Sequence, residues 1–238
     1  MGRKTYHYQD PAIYTRLLQY PAWCCVAFIA TTTLCLFFFL LVAYTKDYIS
    51  YEPVGRFLAH SKTQATITAL APWIYHVYQL CHLAVVFFVL LWTYRASANM
   101  HALIPKPKEP HYASPGLAVA YYFVPIANIF CPCLVMQELW EKKLALTNDE
   151  RKENSGIIQL WWIAYIAFIV LKVCNDLYFK RHGMVGDTAI KVLLLGIASL
   201  IAYLISALLL IHITRTISQA QQTYAATRPA PSEITETP

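Results

Sequence analysis

The stretch GLAVAYYFVPIANIFCPCLVM, residues Gly116–Met136, decides the fold, because it is apolar enough for a membrane yet badly suited to a straight helix. Pro125 and Pro132 each remove a backbone N–H donor, and Asn128 places a carboxamide in the middle of the run. A bilayer offers no partner to the backbone groups that an interrupted helix exposes. The stretch therefore predicts a broken segment, which either crosses the membrane with kinks or enters it and returns to the same face.

Four further windows of the chain carry no Asp, Glu, Lys or Arg and hold apolar runs of membrane-spanning length, or nearly so. Hydrophobic residues make up 58% of the 238 residues and charged residues 13%, against averages of ~45–50% and ~25% in soluble domains. A hydrocarbon core is crossed by ~20 mostly apolar helical residues. The sequence thus predicts an all-α polytopic membrane protein with spans at about 22–44, 67–94, 157–178 and 190–213.

The distribution of Lys and Arg chooses between the two topologies of the broken segment, residues 116–136. If the segment returns, twelve basic residues fall on one side of the membrane and five on the other; if it crosses, the split is eight against nine. Cytoplasmic loops carry the excess of Lys and Arg, which favours a re-entrant segment with both termini cytoplasmic. We expect a cytoplasmic N-terminal segment at 1–21, a membrane domain at 22–226 and a flexible tail at 227–238.

Two short amphipathic stretches flank the broken segment. RASANMHAL, residues 95–103, puts Ala96, Met100 and Leu103 on one helical stripe, and the prolines of the following IPKPKEP end the helix. MQELWEKKL, residues 136–144, also separates an apolar stripe from its charged side chains. Both stretches are expected to form interfacial helices that lie on the membrane surface at the two feet of the broken segment.

The motifs RASANMHAL, SPGLAVAYYFVPIANIFCP and MQELW, in this order and spacing, resemble the signature of a bacterial membrane-protein family known as domain of unknown function four-three-two-eight. The resemblance spans roughly residues 22–220 and is most specific in its middle. It implies a bacterial inner-membrane location and brings no assigned activity. The chain departs from the family pattern at Cys131 and Cys133, where an aromatic or basic neighbour is expected. The signature residues that the resemblance singles out are Arg95, Asn99, Ser114, Pro115, Gly116, Pro125, Asn128, Glu138 and Trp140.

We interpret the charged members of this signature as structural rather than catalytic. Arg95 and Glu138 bracket the broken segment on the cytoplasmic side of the favoured topology. If the two surface helices lie together, these side chains can form an ion pair that Asn99 bridges, which would lock the two feet of the re-entrant element.

The broken segment is also the best candidate for a solute site. Pro125 frees a carbonyl of the preceding turn and Asn128 offers both a donor and an acceptor, so unwound backbone there could coordinate an ion or a polar solute, as discontinuous transporter helices do. His76 and Gln79 share a face of the second span and could line the same path. A kinked packing element, whose asparagine bonds those freed groups, is the favoured interpretation.

A copper site is a further hypothesis, based on Cys131-Pro132-Cys133. Thiolates suit soft cations, and the proline loosens the helix around both sulfurs. His76, Cys81, His82 and Met136 could add ligands, although His76 and His82 point to different faces of their helix. Two buried cysteines without a ligand is the favoured alternative, so we expect no cofactor.

One lysine lies inside a predicted span. Lys172 falls near the outer end of the fourth apolar window, one helical turn before Asp176. A charge within a membrane is a functional hypothesis by default. At this position, however, the long side chain is expected to reach the interface and pair with Asp176.

No pattern of an enzyme is present: the sequence lacks a Gly-Lys phosphate loop, a His-Glu-x-x-His motif and a nucleophile elbow. The formal charge of +6 comes without a nucleic-acid motif, and no nucleic-acid partner is expected. The leading hypothesis is a non-catalytic scaffold or accessory subunit, surrounded by the lipid bilayer and by other membrane protein subunits. A small-solute or ion channel or transporter organised by Pro125–Asn128 is the alternative, and a copper-handling protein is the third.

Overall fold

The computed structural model describes residues 6–46, 62–104, 114–147, 155–182 and 187–227, and these residues are almost entirely helical and contain no β-strand. The proline-rich turn predicted after Ile104 and the tail predicted to be flexible lie mostly outside the described residues. The helices are α1 (Ala12–Lys46), α2 (Lys62–Leu103), α3 (Pro115–Ala120), α4 (Ala127–Thr147), α5 (Gly156–His182) and α6 (Asp187–Thr227).

Four of these helices are long and apolar enough to cross a membrane. The candidate spans are Ala12–Leu34, His76–Leu103, Gly156–His182 and Ile190–Thr227. Each contains most of, or overlaps, one of the four spans predicted from the sequence. The chain is therefore an all-helical protein of multi-pass membrane character, as composition indicated.

Helix α1 begins ten residues before the span expected at residue 22. The carboxylate of Asp10 accepts the backbone N–H of Ala12 at 2.9 Å, and the carbonyl oxygen of Pro11 accepts the N–H of Thr15 at 2.9 Å. An acidic residue followed by proline is a common start of a helix, because the carboxylate satisfies a donor that has no partner in the first turn. The segment predicted at 1–21 is thus helical over its second half.

The first predicted interfacial helix takes a different form. Residues 95–103 are the last turns of α2, without a break from the span. Five consecutive residues, Ala96 to Met100, are buried with at most 6% of their surface exposed. A helix lying on a membrane surface would bury one stripe only, whereas these turns are enclosed by protein on every side. The second stretch, 136–144, is likewise a continuation of α4.

The predicted interruption of the segment 116–136 is present. Helix α3 has six residues, a turn follows over 121–126, and α4 then begins at Ala127. Pro125 lies in the turn, as its missing donor leads one to expect. Pro132, in contrast, is accommodated inside α4.

The chain divides into two compact units. The first contains residues up to Gln19, residues 86–159 and residues from Leu209 onward; the second contains residues 20–85 and 160–208. The described core of the first unit includes Trp92, Met100, Met136, Trp140, Ile213 and Ile217. That of the second includes Ile29, Val85, Trp161, Phe168 and Tyr203.

Candidate functional site

The polar centre of the first unit is the side chain of Asn99, which is completely buried. Its Oδ1 accepts the backbone N–H of Gln9 at 3.1 Å, and its Nδ2 donates to the carbonyl oxygen of Gln9 at 2.9 Å. The same Nδ2 donates to Oε1 of Gln221 at 3.2 Å. One carboxamide thus joins α2, α6 and the residues that precede α1, here called the leading segment, Tyr6–Asp10.

Gln221 completes this centre from α6. It is fully buried, and its Nε2 donates to the carbonyl oxygen of Ala96 at 2.9 Å. Thr214 and Ser218 precede it at helical spacing and are also buried. These three residues form one buried polar stripe of the helix, and the stripe faces α2 and the start of α1.

The stripe continues the network through a hydroxyl pair. The hydroxyls of Ser218 and Thr15 hydrogen-bond at 2.7 Å, and Nε1 of Trp92 donates to Oγ of Ser218 at 3.0 Å. All three side chains are buried. A buried polar group without a partner costs about 1–3 kcal/mol, so these bonds fix the register between the three helices.

The leading segment is held at two further points. Nη2 of Arg95 donates to the carbonyl oxygen of His7 at 2.7 Å, and Nε2 of Gln222 donates to Oδ1 of Asp10 at 2.7 Å. The hydrogen bonds from Ala12 and Gln222 hold the pKa of the Asp10 carboxyl below its usual value. Tyr6 adds a ring contact with His101, at 5.4 Å between centroids.

The lock that we expected between Arg95, Asn99 and Glu138 stays a prediction. Arg95 bonds the leading segment and Asn99 bridges Gln9 to Gln221. Glu138 forms an ion pair with Lys142, one turn along its own helix.

Trp140 is placed by α4 against α6. It is 4% exposed, its ring centroid lies 6.5 Å from that of His212, and Nζ of Lys143 lies 3.8 Å over its ring. The ring therefore has a cation on one side, an arrangement that stabilises a buried ammonium group. Its indole N–H has no hydrogen-bond partner within the described ranges of the chain.

The Ser-Pro-Gly motif starts helix α3. The side chain of Ser114 accepts the N–H of Leu117 as the N-cap, and Pro115 follows within the first turn, where its missing donor does no harm. Gly116 has open space around it, since an added Cβ would meet no atom within 4 Å. The serine and proline have clear local roles, whereas no described residue requires a glycine at position 116.

The turn between α3 and α4 presents an exposed apolar surface with one carboxamide in it. Ile126 is 78% exposed and Phe123 71% exposed. Asn128 is exposed as well, on the first turn of α4. We call this surface the apolar tip; its exposed members are Phe123, Val124, Ile126, Ile129 and Phe130.

His76 and Gln79, the other members of the expected solute path, belong to the second unit, whereas Asn128 belongs to the first. His76 is exposed and Gln79 is half-buried. Each has an interaction partner in the structure. The solute path therefore stays a prediction.

The second unit contains an aromatic cluster that the sequence did not reveal. Nδ1 of His82 lies 2.6 Å from the hydroxyl of Tyr203, which stacks on Phe168 at 4.5 Å between centroids. Phe28 and Tyr78 stack at 4.9 Å on the neighbouring helices. His82 is thus a half-buried residue with a hydrogen-bond partner on α6.

The copper hypothesis receives no support from the described residues. Cys131 and Cys133 follow each other on one continuous helix, where a spacing of two residues turns side chains about 200° apart. No group of three His, Cys, Asp or Glu side chains in the described ranges could hold a metal ion.

The intramembrane lysine behaves as predicted. Nζ of Lys172 lies 2.9 Å from Oδ2 of Asp176, and both side chains are about half exposed. Both residues lie on α5, so this pair is local to one helix and could be predicted from spacing alone.

Sequence reasoning missed two parts of the network: the leading segment and the polar stripe of α6. The stripe carried no clear signal, because Thr214, Ser218 and Gln221 recur at helical spacing but Arg215, Thr216, Gln219 and Gln222 place polar side chains on the other faces as well. The contacts of His7 and Gln9 carried no signal, since they are made through the backbone.

Residues 58–223 match the model of a family described as Domain of unknown function (DUF4328). No curated protein and no solved structure gives a significant match to the chain. The matched region contains Arg95, Asn99 and Gln221, whereas the leading segment lies outside it.

Proposed function

The chain belongs to the family described as Domain of unknown function (DUF4328), and from the geometry of its helices we propose that it is a non-catalytic membrane scaffold, an accessory subunit that docks on another membrane protein. The observation that carries this proposal is the exposed carboxamide of Asn128 within the apolar tip. The occupant of the docking site is a transmembrane helix that offers a hydrogen-bonding group.

The physical argument is the cost of an unmatched amide in lipid. Ile126, Ile129 and Phe130 surround Asn128 with hydrocarbon, which suits a bilayer. Moving an amide from water into hydrocarbon without a partner costs several kcal/mol. A polar side chain on a second helix removes that cost, and side chains such as Asn drive helix association in membranes in this way.

The remaining polar side chains of the first unit support a structural role. Asn99, Ser218 and Gln221 are buried and spend their hydrogen bonds on holding helices together. Ser114 caps α3, and Glu138 pairs with Lys142. Arg95, Asn99, Ser114 and Glu138, four of the signature residues, thus take part in contacts that support the fold.

For the membrane we propose a re-entrant topology in a bacterial inner membrane, with both termini cytoplasmic. Six residues of α3 rise about 9 Å, against ~30 Å of hydrocarbon, so α3 brings the turn only part of the way across. The excess of basic residues on the side of the termini supports the same orientation. Single cysteines at Ser114 and Gln137, in a background without other reactive thiols, should react with an impermeant maleimide from the same face of sealed vesicles. Reaction from opposite faces would replace this topology with a crossing segment.

The docking proposal is tested by native electrophoresis of the full-length protein extracted from its own membranes in a mild detergent. We expect it to migrate in a complex larger than the single chain and to leave that complex in Asn128→Leu. Asn128→Gln keeps a carboxamide and should retain the complex. Leu177→Ala, at an exposed position of α5, is the matched control and should have no effect.

Two results would overturn the scaffold. One is migration of the wild-type chain alone under conditions that preserve other membrane complexes. The other is flux of a polar solute through vesicles that contain the purified chain and are otherwise tight, with loss of the flux in Asn128→Leu. That second result establishes the conduit instead.

A further inference from the structure

The contact between Asn99 and Gln9 has the geometry of backbone recognition. A carboxamide carries the same donor and acceptor groups as a peptide unit. Asn99 uses both of them on one residue, accepting the N–H of Gln9 at 3.1 Å and donating to its carbonyl at 2.9 Å. This double contact is what a neighbouring β-strand makes with an extended chain. The contact recognises the main chain of Gln9 and does not depend on its side chain.

A second contact of the same kind lies two residues earlier. Arg95, one helical turn before Asn99, donates from Nη2 to the carbonyl oxygen of His7 at 2.7 Å. Arg95 and Asn99 are one helical turn apart on α2, and their partners His7 and Gln9 are two residues apart in the leading segment. These distances match for an extended peptide, because a helical turn rises ~5.4 Å and two extended residues span ~6.6 Å. The two side chains therefore form a short track along α2 that receives backbone groups.

The track and its occupant come from different parts of the chain. Arg95 and Asn99 lie within the matched family region, as does Gln221, which holds the Asn99 carboxamide in place through its own bond to Ala96. The residues of the leading segment lie before that region. The backbone-binding groups thus lie within the matched region, and the segment that they bind lies outside it.

We propose that the domain carries a binding site for the main chain of an extended peptide, formed by Arg95 and Asn99 with Gln221 in support, and that in this protein residues His7–Gln9 occupy it in cis. The site is distinct from the apolar tip and does not depend on the docking of a partner there. Nε of Arg95 is buried without a hydrogen-bond partner among the residues that the structure describes, so the described part of the cis segment leaves this donor of the site unused.

The first test measures the cis contact in the full-length chain. Amide hydrogen exchange of the peptide that contains Gln9 is followed in detergent or nanodiscs for wild type, Asn99→Leu and the conservative Asn99→Gln. We expect protection of this peptide to fall at least tenfold in Asn99→Leu. The side-chain variant Gln9→Ala should keep wild-type protection, because only its backbone is bound.

The second test offers the peptide in trans. Gln9→Pro in the full-length chain removes the N–H that Asn99 accepts and should release the leading segment, which faster exchange of the amides that remain between Tyr6 and Ala12 reports. A fluorescent peptide of residues 6–13, YHYQDPAI, should then bind the variant saturably, as measured by fluorescence anisotropy. It should bind wild type at least ten times more weakly, because the protein's own leading segment competes with it. The same peptide with an N-methyl group on Gln9 should lose at least tenfold in affinity, whereas the Gln9→Ala peptide should bind within twofold of the unmodified one.

Each outcome bears on the proposal. Retained protection in Gln9→Pro or in Asn99→Leu contradicts backbone recognition by Asn99. Release without trans binding, in a variant that elutes and unfolds like wild type, shows an internal tether and no peptide site. Equal binding of the N-methyl peptide, or loss of binding by the Gln9→Ala peptide, shows recognition through side chains and overturns the proposal as well.

Discussion

Asn99 illustrates how much a single buried carboxamide does in this fold. It contacts the leading segment and α6 from a position on α2, and none of its groups reaches solvent. Hydrogen bonds of this kind contribute about 1 kcal/mol each when intact, and the loss of one partner leaves a larger penalty on the other. The main cost of removing Asn99 is therefore the buried donor or acceptor that is left without a partner, rather than the loss of the hydrogen bonds themselves.

Replacement of Asn99 by leucine should destabilise the protein by about 2–4 kcal/mol. The change keeps the branching of the side chain but leaves Oε1 of Gln221 buried without its donor and frees the backbone of Gln9. Thermal or denaturant unfolding in a fixed detergent measures the effect. Asn128→Leu, at an exposed site, should change the unfolding free energy by less than about 0.5 kcal/mol; equal effects of the two variants would refute the assignment of Asn99 as the structural centre.

Asp10 gives the attachment of the leading segment a dependence on pH. Its pKa is lowered by the bonds from the Ala12 N–H and the Gln222 side chain. A lowered pKa means that the stabilisation is complete above the value of a free aspartate, about 3.9, and is lost as the pH falls below it. Between pH 5 and 3 the unfolding temperature of wild type should fall further than that of Asp10→Asn. Parallel curves for the two proteins would contradict this role.

At the scale of the helices, features that depend on residues close in sequence could be predicted, whereas burial by distant parts of the chain could not. Composition located all four spans, prolines located the interruption near Pro125, and spacing gave the Lys172–Asp176 pair. Each of these depends on residues close in sequence. The stretch 95–103 was predicted to be a surface helix because one stripe of it is apolar. Its small residues Ala96 to Ala98, however, allow distant parts of the chain to pack closely against it. The local sequence does not indicate which parts of the chain these are.

Helix α3 provides a prediction of its own, because its glycine has no structural task within the chain. Gly116 has an ordinary backbone conformation and open space around its Cα. Gly116→Ala should therefore fold normally and gain up to about 0.5–1 kcal/mol from the lower entropy of its unfolded chain. Unfolding measurements test the first statement. If the variant is stable but leaves the native complex, a partner backbone approaches this position; if it is destabilised, the open surroundings of Gly116 are misassigned.

At the scale of the whole molecule, each of the two units has its own polar centre. The first is organised around Asn99, and the second has the His82–Tyr203 bond within an aromatic cluster. No residue takes part in both centres. Cooperative units of this kind open separately in native-state exchange.

Disturbing one centre should consequently loosen its own unit first. Asn99→Leu is expected to raise amide exchange in residues 86–104 and 209–227 and to leave residues 160–182 close to wild type. Tyr203→Phe, which removes the partner of the His82 ring nitrogen, should have the converse pattern. Exchange followed by mass spectrometry on the full-length chain decides this, and uniform loosening by either variant would show a single cooperative unit.

The burial of residues 96–100 determines which amino-acid substitutions this protein can tolerate there. A helix with one buried face accepts most changes on its other faces, so tolerated substitutions recur with the helical period. Here five residues in a row are buried. Replacing the small side chains among them with larger ones would overpack the interior. A saturation scan should show an unbroken block of intolerant codons from 96 to 100 and a periodic pattern resuming toward Trp92. Homologous chains would then vary around this block and hardly at all within it.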